Sequence, residues 1–333
     1  MKIMVFDVPA ESGGALSVLH DFYNEYKKDS KNEYIFVVST PKLKKISNID
    51  VIHFPWIKKS WFHRLYFDYF VAPRLVKKHK VDEIFSLQNV IVPNVNKYQT
   101  VYVHNSLPFS EHRFSFTENR LLWIYQNIIS KSIFKSIKKA DKVIVQTNWM
   151  KSECIKKLNV KGSKLEVSPP KIQIYNVKKF NDKFEDIVTF FYPASGVTFK
   201  NHKLIVDACI KLRKISNVPY RVIFTLSGNE NENIMEIYRI VREENLPIEF
   251  LGSLTRAEVF EYYSSSILLF PSYIESSPLP LTEARIHNTP ILVSDYAFSH
   301  EILDGYSKAD FFNAFDAEDL MKKMKIYLQN YTD

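Results

Sequence analysis

Short apolar segments of strand length alternate with longer amphipathic segments along almost the whole chain. This alternation is typical of α/β domains, in which helices cover both faces of a parallel sheet. The pattern runs through the first half and then repeats, and 333 residues is the length of two such domains. The predicted strands lie at 3–8, 34–39, 51–54, 83–86, 100–103, 142–146, 188–192, 220–227, 248–251, 267–270 and 290–293. The predicted helices lie at 15–28, 60–80, 118–139, 149–158, 202–215, 232–244, 256–264, 281–287 and 317–329.

The boundary between the two domains is predicted at Ser168-Pro169-Pro170, which breaks regular structure and is the candidate hinge. The first domain is therefore expected at 1–170 and the second at 171–315, followed by a terminal helical segment at 316–333. The chain enters a strand directly at its N-terminus, which argues against a signal peptide. The two cysteines, Cys154 and Cys209, lack metal-site spacing, and a reducing cytoplasm is expected.

Charge is unevenly distributed between the halves. Residues 1–170 hold 27 Lys+Arg against 15 Asp+Glu, a net charge of +12, and the remainder has a net charge of −4. A basic domain attracts nucleic acid, anionic lipid or phosphate-bearing substrates. Because no zinc-finger or RNP-type signature accompanies the charge, we expect no nucleic-acid partner.

The segment Phe270–Ala284 carries the clearest sign of a binding site. A buried strand at 267–270 leads through a polar turn into a helix, and Glu275 and Glu283 are separated by seven residues. Ligands of open α/β sheets bind at the carboxyl ends of strands, where helix N-termini hold phosphates. Two carboxylates there can accept hydrogen bonds from the ribose and the hexose that flank the diphosphate of a nucleotide-sugar. The alternative is an ordinary strand, turn and helix with two solvated acids.

This segment resembles the signature of family-4 retaining glycosyltransferases with the GT-B fold. The matching residues are Pro271-Ser272, Glu275, Leu279-Pro280-Leu281, Glu283-Ala284 and Pro290. The chain departs from the family pattern at Ser276 and Pro278, where glycines are usual, and Pro278 offers no backbone N–H to a phosphate. The resemblance extends over nearly the whole chain, more weakly in the first 170 residues. It implies two Rossmann-like domains whose parallel sheets face a central cleft, with the terminal helix crossing back to the first domain.

The resemblance also assigns roles to residues of the second domain. Glu283 would bind the ribose, Glu275 a hydroxyl of the donor sugar, and Lys200 the diphosphate. Ser195 stands where the family often has an arginine, so Lys200 would carry more of the leaving-group charge. Ser277, Leu279 and Leu281 are implied to lie against the donor. Asn201 could instead cap the helix at 202–215.

Glycine is scarce, with only seven in the chain. Five of them lie at or just beyond the end of a predicted strand, which favours a ligand cleft over ordinary turns. The dinucleotide pattern GxGxxG and the Walker pattern are both absent, which argues against a nicotinamide dehydrogenase and a P-loop NTPase. The resemblance implies that these loops contact the donor. The five are Gly13, Gly14, Gly196, Gly228 and Gly252.

His104 follows the strand at 100–103, where the family often has a histidine near the donor sugar. A neutral imidazole can hydrogen-bond a sugar hydroxyl, so His104 is a candidate for the site rather than for a structural role.

Two segments, 56–80 and 121–139, combine aromatic residues with lysines. This composition suits either a helix at a membrane interface or a helix with a buried apolar stripe and a solvated lysine face. The net charge of the first domain favours peripheral contact with an anionic membrane surface.

Together with the resemblance, these observations predict a hexosyltransferase that moves a sugar from a nucleotide-sugar to a hydroxyl acceptor, and the resemblance implies that the anomeric configuration is retained. The expected acceptor is a lipid-linked glycan or oligosaccharide in surface-polysaccharide assembly (capsule or O-antigen), at the inner face of the plasma membrane. Because no Asp-x-Asp occurs, neither a metal nor another cofactor is expected. The alternatives are a GT-B sugar-nucleotide epimerase and a non-catalytic glycosyltransferase-like binding subunit, the latter favoured by Pro278 and Ser195.

Overall fold

The computed structural model describes residues 1–172, 177–181 and 187–330. Its chain divides into two compact units, Met1–Lys171 and Ile172–Asp333. The division falls one residue beyond the boundary expected from Ser168-Pro169-Pro170. Each unit contains one parallel sheet, so the α/β class predicted from the alternation is confirmed. The cleft expected between the sheets stays a prediction.

The sheet of the first unit has seven parallel strands in the order β3-β2-β1-β4-β5-β6-β7. In chain order they are β1 Lys2–Asp7, β2 Glu33–Val38, β3 Ile49–His53, β4 Glu83–Ser86, β5 Tyr98–Val103, β6 Lys142–Val145 and β7 Leu165–Val167. The helices are α1 Gly13–Tyr26, α2 Trp61–Tyr66, α3 Ala72–Lys78, α4 Arg120–Ile124, α5 Ser130–Lys139 and α6 Asn148–Leu158.

Two π-helical turns join these helices in pairs. Phe67–Val71 connects α2 to α3, and Tyr125–Ile129 connects α4 to α5. The predicted long helices at 60–80 and 118–139 are therefore present, each interrupted by a wider turn. Single π-turns inside helices often accompany functional sites.

Strand β1 separates two apolar layers in the first unit. Val5 packs on the α1 side with Leu19, whereas Phe6 packs on the opposite side with Phe67 and Val76. A strand buried on both faces explains the continuous apolar run at the start of the sequence.

The sheet of the second unit has six parallel strands in the order β10-β9-β8-β11-β12-β13. They are β8 Val188–Tyr192, β9 Tyr220–Phe224, β10 Ile248–Phe250, β11 Ile267–Phe270, β12 Ile291–Ser294 and β13 Ala309–Phe312. The helices are α7 His202–Leu212, α8 Glu232–Glu243, α9 Arg256–Ser265, α10 Leu279–His287, α11 Ala297–Ile302 and α12 Ala317–Asn330.

The last helix, α12, packs against α7 and the strands β12 and β13 of its own unit. Its buried side chains are Leu320, Met321, Met324 and Leu328. The predicted crossing of this helix to the first domain stays a prediction.

Candidate active site

Lys200 and Glu275 meet at the carboxyl edge of the second sheet. Lys200 ends a single 3-10 turn after β8, and Glu275 lies in the loop between β11 and α10. The Lys200 Nζ lies 2.5 Å from the Glu275 Oε1, with 20% and 11% of the two side chains exposed. A charge-assisted hydrogen bond in such a partly desolvated place is stronger than a surface pair. Lys200 and Glu275, which were predicted to bind different parts of one donor, therefore contact each other directly.

The backbone of Lys200 is fixed by its neighbours. Tyr192, the last residue of β8, donates its hydroxyl to the Lys200 carbonyl over 2.6 Å. Asn201 takes a left-handed conformation with φ 63° and donates its side-chain amide to the carbonyls of Ala314, at 2.7 Å, and Pro271, at 3.3 Å. The suggestion that Asn201 caps α7 is wrong, because its side chain makes no cap bond and joins two other loops instead.

Glu283 is buried inside the fold, with 2% of its side chain exposed. Its Oε1 accepts from the Arg256 Nη1 over 2.7 Å, and its Oε2 accepts from the Tyr263 hydroxyl over 3.1 Å. Both partners lie on α9, so this carboxylate also ties α10 to α9. Burial first, and then the Glu283 charge, raises the pKa of Tyr263 well above its ordinary value, which keeps the hydroxyl protonated as a donor. The alternative of two solvated acids is wrong for both glutamates.

The N-terminus of α10 lies two residues earlier than predicted, at Leu279. Pro278 is its N-cap and Pro280 stands in its first turn, so two backbone donors that an ordinary helix start offers are missing. Leu281 is buried and donates its amide to the Pro278 carbonyl over 3.2 Å. Ser277 and Leu279 are partly exposed at this helix start.

Two of the predicted site glycines are required by packing on α8. A Cβ on Gly196 would lie 2.7 Å from the Cγ1 of Ile234. One on Gly228 would lie 2.5 Å from the ring of Tyr238, and Gly228 has φ +91°. Both glycines follow strand ends, as predicted, but packing within the unit is enough to explain their identity. Gly252, with φ +73°, lies against Ser227 in the neighbouring turn.

In the turn after β9, two backbone amides already bind a side-chain carboxylate of the same turn. Glu230 accepts from the backbone amide of Ser227 over 2.5 Å and from that of Gly228 over 3.1 Å. Successive amides of this kind form an anion-binding concavity. A ligand contact at Gly228 through the backbone would have to compete with this exposed carboxylate.

In the first unit, His104 follows β5 as predicted. Its backbone amide and that of Asn105 both donate to the Asn89 Oδ1, over 2.8 and 3.0 Å. Burial lowers the pKa of His104 to about 4. The imidazole is therefore neutral at pH 7 and can both donate and accept a hydrogen bond.

Gly13 and Gly14 open α1 in an exposed position. Gly13 has φ +58°, and nothing within 4 Å would meet a Cβ on either residue. Packing therefore does not require glycine at either position, and the contact of this loop with a ligand stays a prediction.

The loop of Gly13 and Gly14 follows an acid that sequence reasoning did not single out. Asp7 ends β1 with 1% of its surface exposed, and neither carboxylate oxygen has a hydrogen-bond partner. Burial raises the pKa of Asp7 to about 7, against the opposing charge of Arg64. An acid that directly follows the apolar run Ile3–Phe6 was the signal available in the sequence.

The two basic and aromatic segments expose apolar surface. Phe62 is 83% exposed, and the Trp61 ring lies 6.3 Å from that of Tyr125, which brings α2 beside the second segment. Arg64 is not part of the exposed basic surface, because it is paired with Asp68 over 2.7 Å and largely buried. Lys59, Lys77, Lys78, Lys131, Lys135, Lys138 and Lys139 are exposed. The exposed apolar residues are Trp61, Phe62, Leu65, Tyr66, Tyr69, Phe70, Leu121 and Ile128.

Neither a metal site nor a membrane-spanning helix is found among the described residues. Over 1–172, 177–181 and 187–330, no three His, Cys, Asp or Glu side chains are grouped so that they could hold a metal ion. Over the same ranges, no helix combines the length and the apolar character needed to cross a bilayer.

Comparison with known protein families gives a match in the second half of the chain. Residues 174–333 match the family described as "Glycosyl transferases group 1". The O-antigen chain mannosyltransferase RfbU of Salmonella typhimurium is 25% identical over 241 residues, which cover 71% of this chain. The match spans 63% of the length of that relative.

Solved structures resemble the chain over both units. WaaG, a glycosyltransferase involved in lipopolysaccharide biosynthesis, superposes with a TM-score of 0.74 at 14% identity, covering 99% of this chain and 90% of its own. The Anabaena protein HepE in complex with UDP-glucose superposes with a TM-score of 0.70 at 14% identity, covering 100% of this chain and 91% of its own. At this level of identity the likeness establishes the fold.

Proposed function

Because residues 174–333 belong to the glycosyl transferases group 1 and the chain has the GT-B fold, we propose that it transfers a hexose from a nucleotide-sugar to a hydroxyl acceptor. Transfer would proceed with retention of the anomeric configuration. The observation that carries the proposal is the Lys200–Glu275 pair, which offers a cation and a carboxylate at one strand edge. Support for a nucleotide-sugar donor comes from HepE, which binds UDP-glucose in the same fold.

The chemistry assigned to this pair is charge stabilisation. As the bond between the anomeric carbon and the diphosphate oxygen breaks, that oxygen keeps the electron pair and the leaving group gains negative charge. The acceptor oxygen forms the new bond to the anomeric carbon and passes its proton to the departing diphosphate oxygen. An ammonium held in place before the reaction stabilises the departing diphosphate without reorganisation. Glu275 would hold Lys200 in the free enzyme and accept hydrogen bonds from a sugar hydroxyl in the complex.

Glu283 would bind the ribose together with the α9 residues that surround it. A carboxylate has about four acceptor positions, and Arg256 and Tyr263 use two of them. Arg256 is half-exposed. It can therefore move to admit a ribose hydroxyl while Tyr263 stays in place.

The reaction would need no metal ion, since Lys200 supplies the positive charge that a divalent cation provides elsewhere. The prolines that open α10 reduce the number of backbone donors there. This loss places more of the diphosphate charge on Lys200.

The acceptor would be a lipid-linked glycan of a surface polysaccharide, bound by the first unit. RfbU and WaaG are described as acting on O-antigen and in lipopolysaccharide biosynthesis. The exposed aromatic side chains of α2, with exposed lysines on α3 and α5 of the same unit, suit peripheral contact with an anionic membrane at the cytoplasmic face.

The first test is a thermal-shift screen against UDP-, GDP-, CMP- and dTDP-sugars. A donor present at 100 times its Kd should stabilise the fold by about 2.7 kcal/mol. The donor found is then incubated in EDTA with and without a glycan acceptor, and nucleotide release is measured. Release that depends on acceptor is expected. Conversion of the donor without acceptor would indicate an epimerase, and binding without turnover would indicate a binding subunit.

A further inference from the structure

The loop that carries Lys200 is tied to two neighbouring loops by a single side chain. Asn201 donates its side-chain amide to the Ala314 carbonyl over 2.7 Å and to the Pro271 carbonyl over 3.3 Å. Carbonyl oxygens only accept hydrogen bonds, so both N–H groups of the amide are used. Pro271 directly follows β11 in the loop that leads to Glu275, and Ala314 follows β13. Asn201 therefore links the loops that leave three strands of the second sheet.

The backbone conformation of Asn201 does not by itself account for its side chain. Its φ of 63° is one that glycine adopts at least as readily. Asn245, in the turn between α8 and β10, also has a positive φ, of 46°, and over the described residues its side chain forms no hydrogen bond. At position 201 the amide makes a link between loops that glycine could not make.

A second residue holds the carbonyl of Lys200. Tyr192, fully buried at the end of β8, donates its hydroxyl to that carbonyl over 2.6 Å. Burial first, and then the Glu275 charge, raises the pKa of Tyr192 well above its ordinary value, so the hydroxyl stays a donor. The Lys200 Nζ itself lies 2.5 Å from the Glu275 Oε1 and 6.0 Å from the centre of the Phe270 ring, which ends β11. Backbone and ammonium of Lys200 are thus both held at strand ends.

We propose that Asn201 and Tyr192 are positioning residues that set the place of the Lys200 ammonium at the diphosphate. Their hydrogen bonds go to backbone carbonyls, so they act through Lys200. A charged group stabilises a ligand fully only when its support holds it within about 0.5 Å of the productive place. The inference rests on the proposed function, in which Lys200 receives the charge of the departing diphosphate.

The test is a double-mutant cycle on the full chain with UDP, GDP and dTDP as probes. Each is a free nucleoside diphosphate, the form that the leaving group takes after transfer, so its affinity reports the stabilisation of that charge without an acceptor. Isothermal titration calorimetry measures the Kd. Lys200→Ala should weaken binding by roughly 10–100-fold, the loss expected for a hydrogen bond to a charged group.

Two substitutions remove the proposed supports and leave Lys200 in the chain. Asn201→Gly keeps the left-handed backbone and removes both amide hydrogen bonds, and Tyr192→Phe removes only the hydroxyl. Each should weaken nucleotide binding by about tenfold, the loss expected for one or two neutral hydrogen bonds. In a Lys200→Ala background the same substitutions should change the Kd by less than about twofold, because the group that they position is gone.

Asn245→Gly is the matched control, since it also replaces a left-handed asparagine by glycine, and it should bind as the wild type does. Urea unfolding shows that each variant is folded.

Equal losses with and without Lys200 would overturn the inference, because the two residues would then act independently of the ammonium. Wild-type affinity in either Asn201→Gly or Tyr192→Phe would overturn it for that residue, and a loss in Lys200→Ala would still support the proposed function. Failure of all three diphosphates to bind the wild type would reject the proposed function and the inference with it.

Discussion

Lys200 is the residue on which the proposed chemistry depends most. Lys200→Ala should lower turnover by about 100–1,000-fold, because a preorganised stabiliser of leaving-group charge is lost, while donor affinity falls by a smaller factor. Lys200→Arg should restore part of the loss, since the charge remains but its shape changes. Steady-state kinetics at saturating acceptor measure both effects.

The matched control for Lys200 is Lys203, three residues further along. Lys203 is exposed and pairs with Asp207 on its own helix. Lys203→Ala should keep full turnover. Turnover in Lys200→Ala that equals the turnover of this control would mean that another group carries the phosphate charge.

Asp7 makes stability depend on pH. Its pKa in the folded protein is about 7, against an ordinary value of 3.8, so between these values the folded state holds a proton that the unfolded state has lost. Stability therefore falls as pH rises from about 4 to about 7, by on the order of 2–4 kcal/mol in total. The Asp7→Asn variant has no ionisable group at this position. Its free energy of unfolding should therefore rise relative to that of the wild type as the pH rises across this window.

Urea unfolding at pH 4, 6 and 8 measures that gain. The difference in free energy of unfolding between Asp7→Asn and the wild type should grow with pH and level off above about 7. Asp50→Asn serves as the control, because hydrogen bonding to Lys45 lowers the pKa of Asp50 and leaves no ionisation in this window. A difference in free energy of unfolding that is the same at all three pH values would contradict a raised pKa for Asp7.

The sequence singled out the acids of the candidate site but not the residues that contact them. Glu275 and Glu283 stand out through a local motif, and Lys200 through a strand followed by a helix. Their contacts with each other, with Arg256 and with Tyr263 join segments distant in sequence, and no local pattern encodes these pairings. The role of Asn201 was misread for the same reason, since the carbonyls it binds belong to two distant loops.

At the scale of elements, the turn between β9 and α8 depends on Gly228. Gly228→Ala should destabilise the protein by about 1–3 kcal/mol, because φ +91° strains an L-residue and the new Cβ would lie 2.5 Å from the Tyr238 ring. Differential scanning calorimetry of the purified variant gives the change.

Gly14→Ala is the control for that substitution. Gly14 lies in the first turn of α1, where nothing within 4 Å would meet the Cβ. Alanine favours a helix over glycine by roughly 0.5–1 kcal/mol, so this variant should be as stable as the wild type or slightly more stable. Equal melting temperatures for Gly228→Ala and Gly14→Ala would show that the turn between β9 and α8 can relax around the Cβ added at Gly228.

The long apolar strands were predicted, but two of the short edge strands were not. Strands β7 and β13 were missed, and each lies at the edge of its sheet. An edge strand needs little apolar sequence, and Leu165–Val167 and Ala309–Phe312 are only partly buried. The six-residue helix α11 was missed because it is too short to show a helical period.

At the scale of the whole molecule, the basic first half predicts binding to anionic vesicles. If the proposed contact forms, the exposed aromatic residues of α2 would insert at the interface, and each lysine near the surface would contribute about 1 kcal/mol. Sedimentation with phosphatidylserine vesicles should fall as salt rises, since salt screens the attraction. Phe62→Ser and the pair Lys131→Glu, Lys135→Glu should each reduce binding.

Two exposed lysines of the second unit provide the control. Lys211→Glu with Lys214→Glu changes the net charge by the same amount and should leave vesicle binding nearly unchanged. Equal sedimentation with neutral vesicles, or none with anionic vesicles at low salt, would show that the lysines are simply a solvated face.

Left-handed backbone positions in this chain are held largely by asparagine. Asn89, Asn94, Asn159, Asn201, Asn245 and Asn288 all have positive φ, and Asn159 and Asn288 end helices where glycine is the usual residue. Asparagine is the side chain that tolerates this conformation best. Glycine codons all begin with GG and asparagine codons with AA. A gene poor in guanine and cytosine can therefore encode these left-handed turns with asparagine and keep the fold. In the protein sequences of such genes, glycine alone is an incomplete signal for helix ends, because some helices end at asparagine.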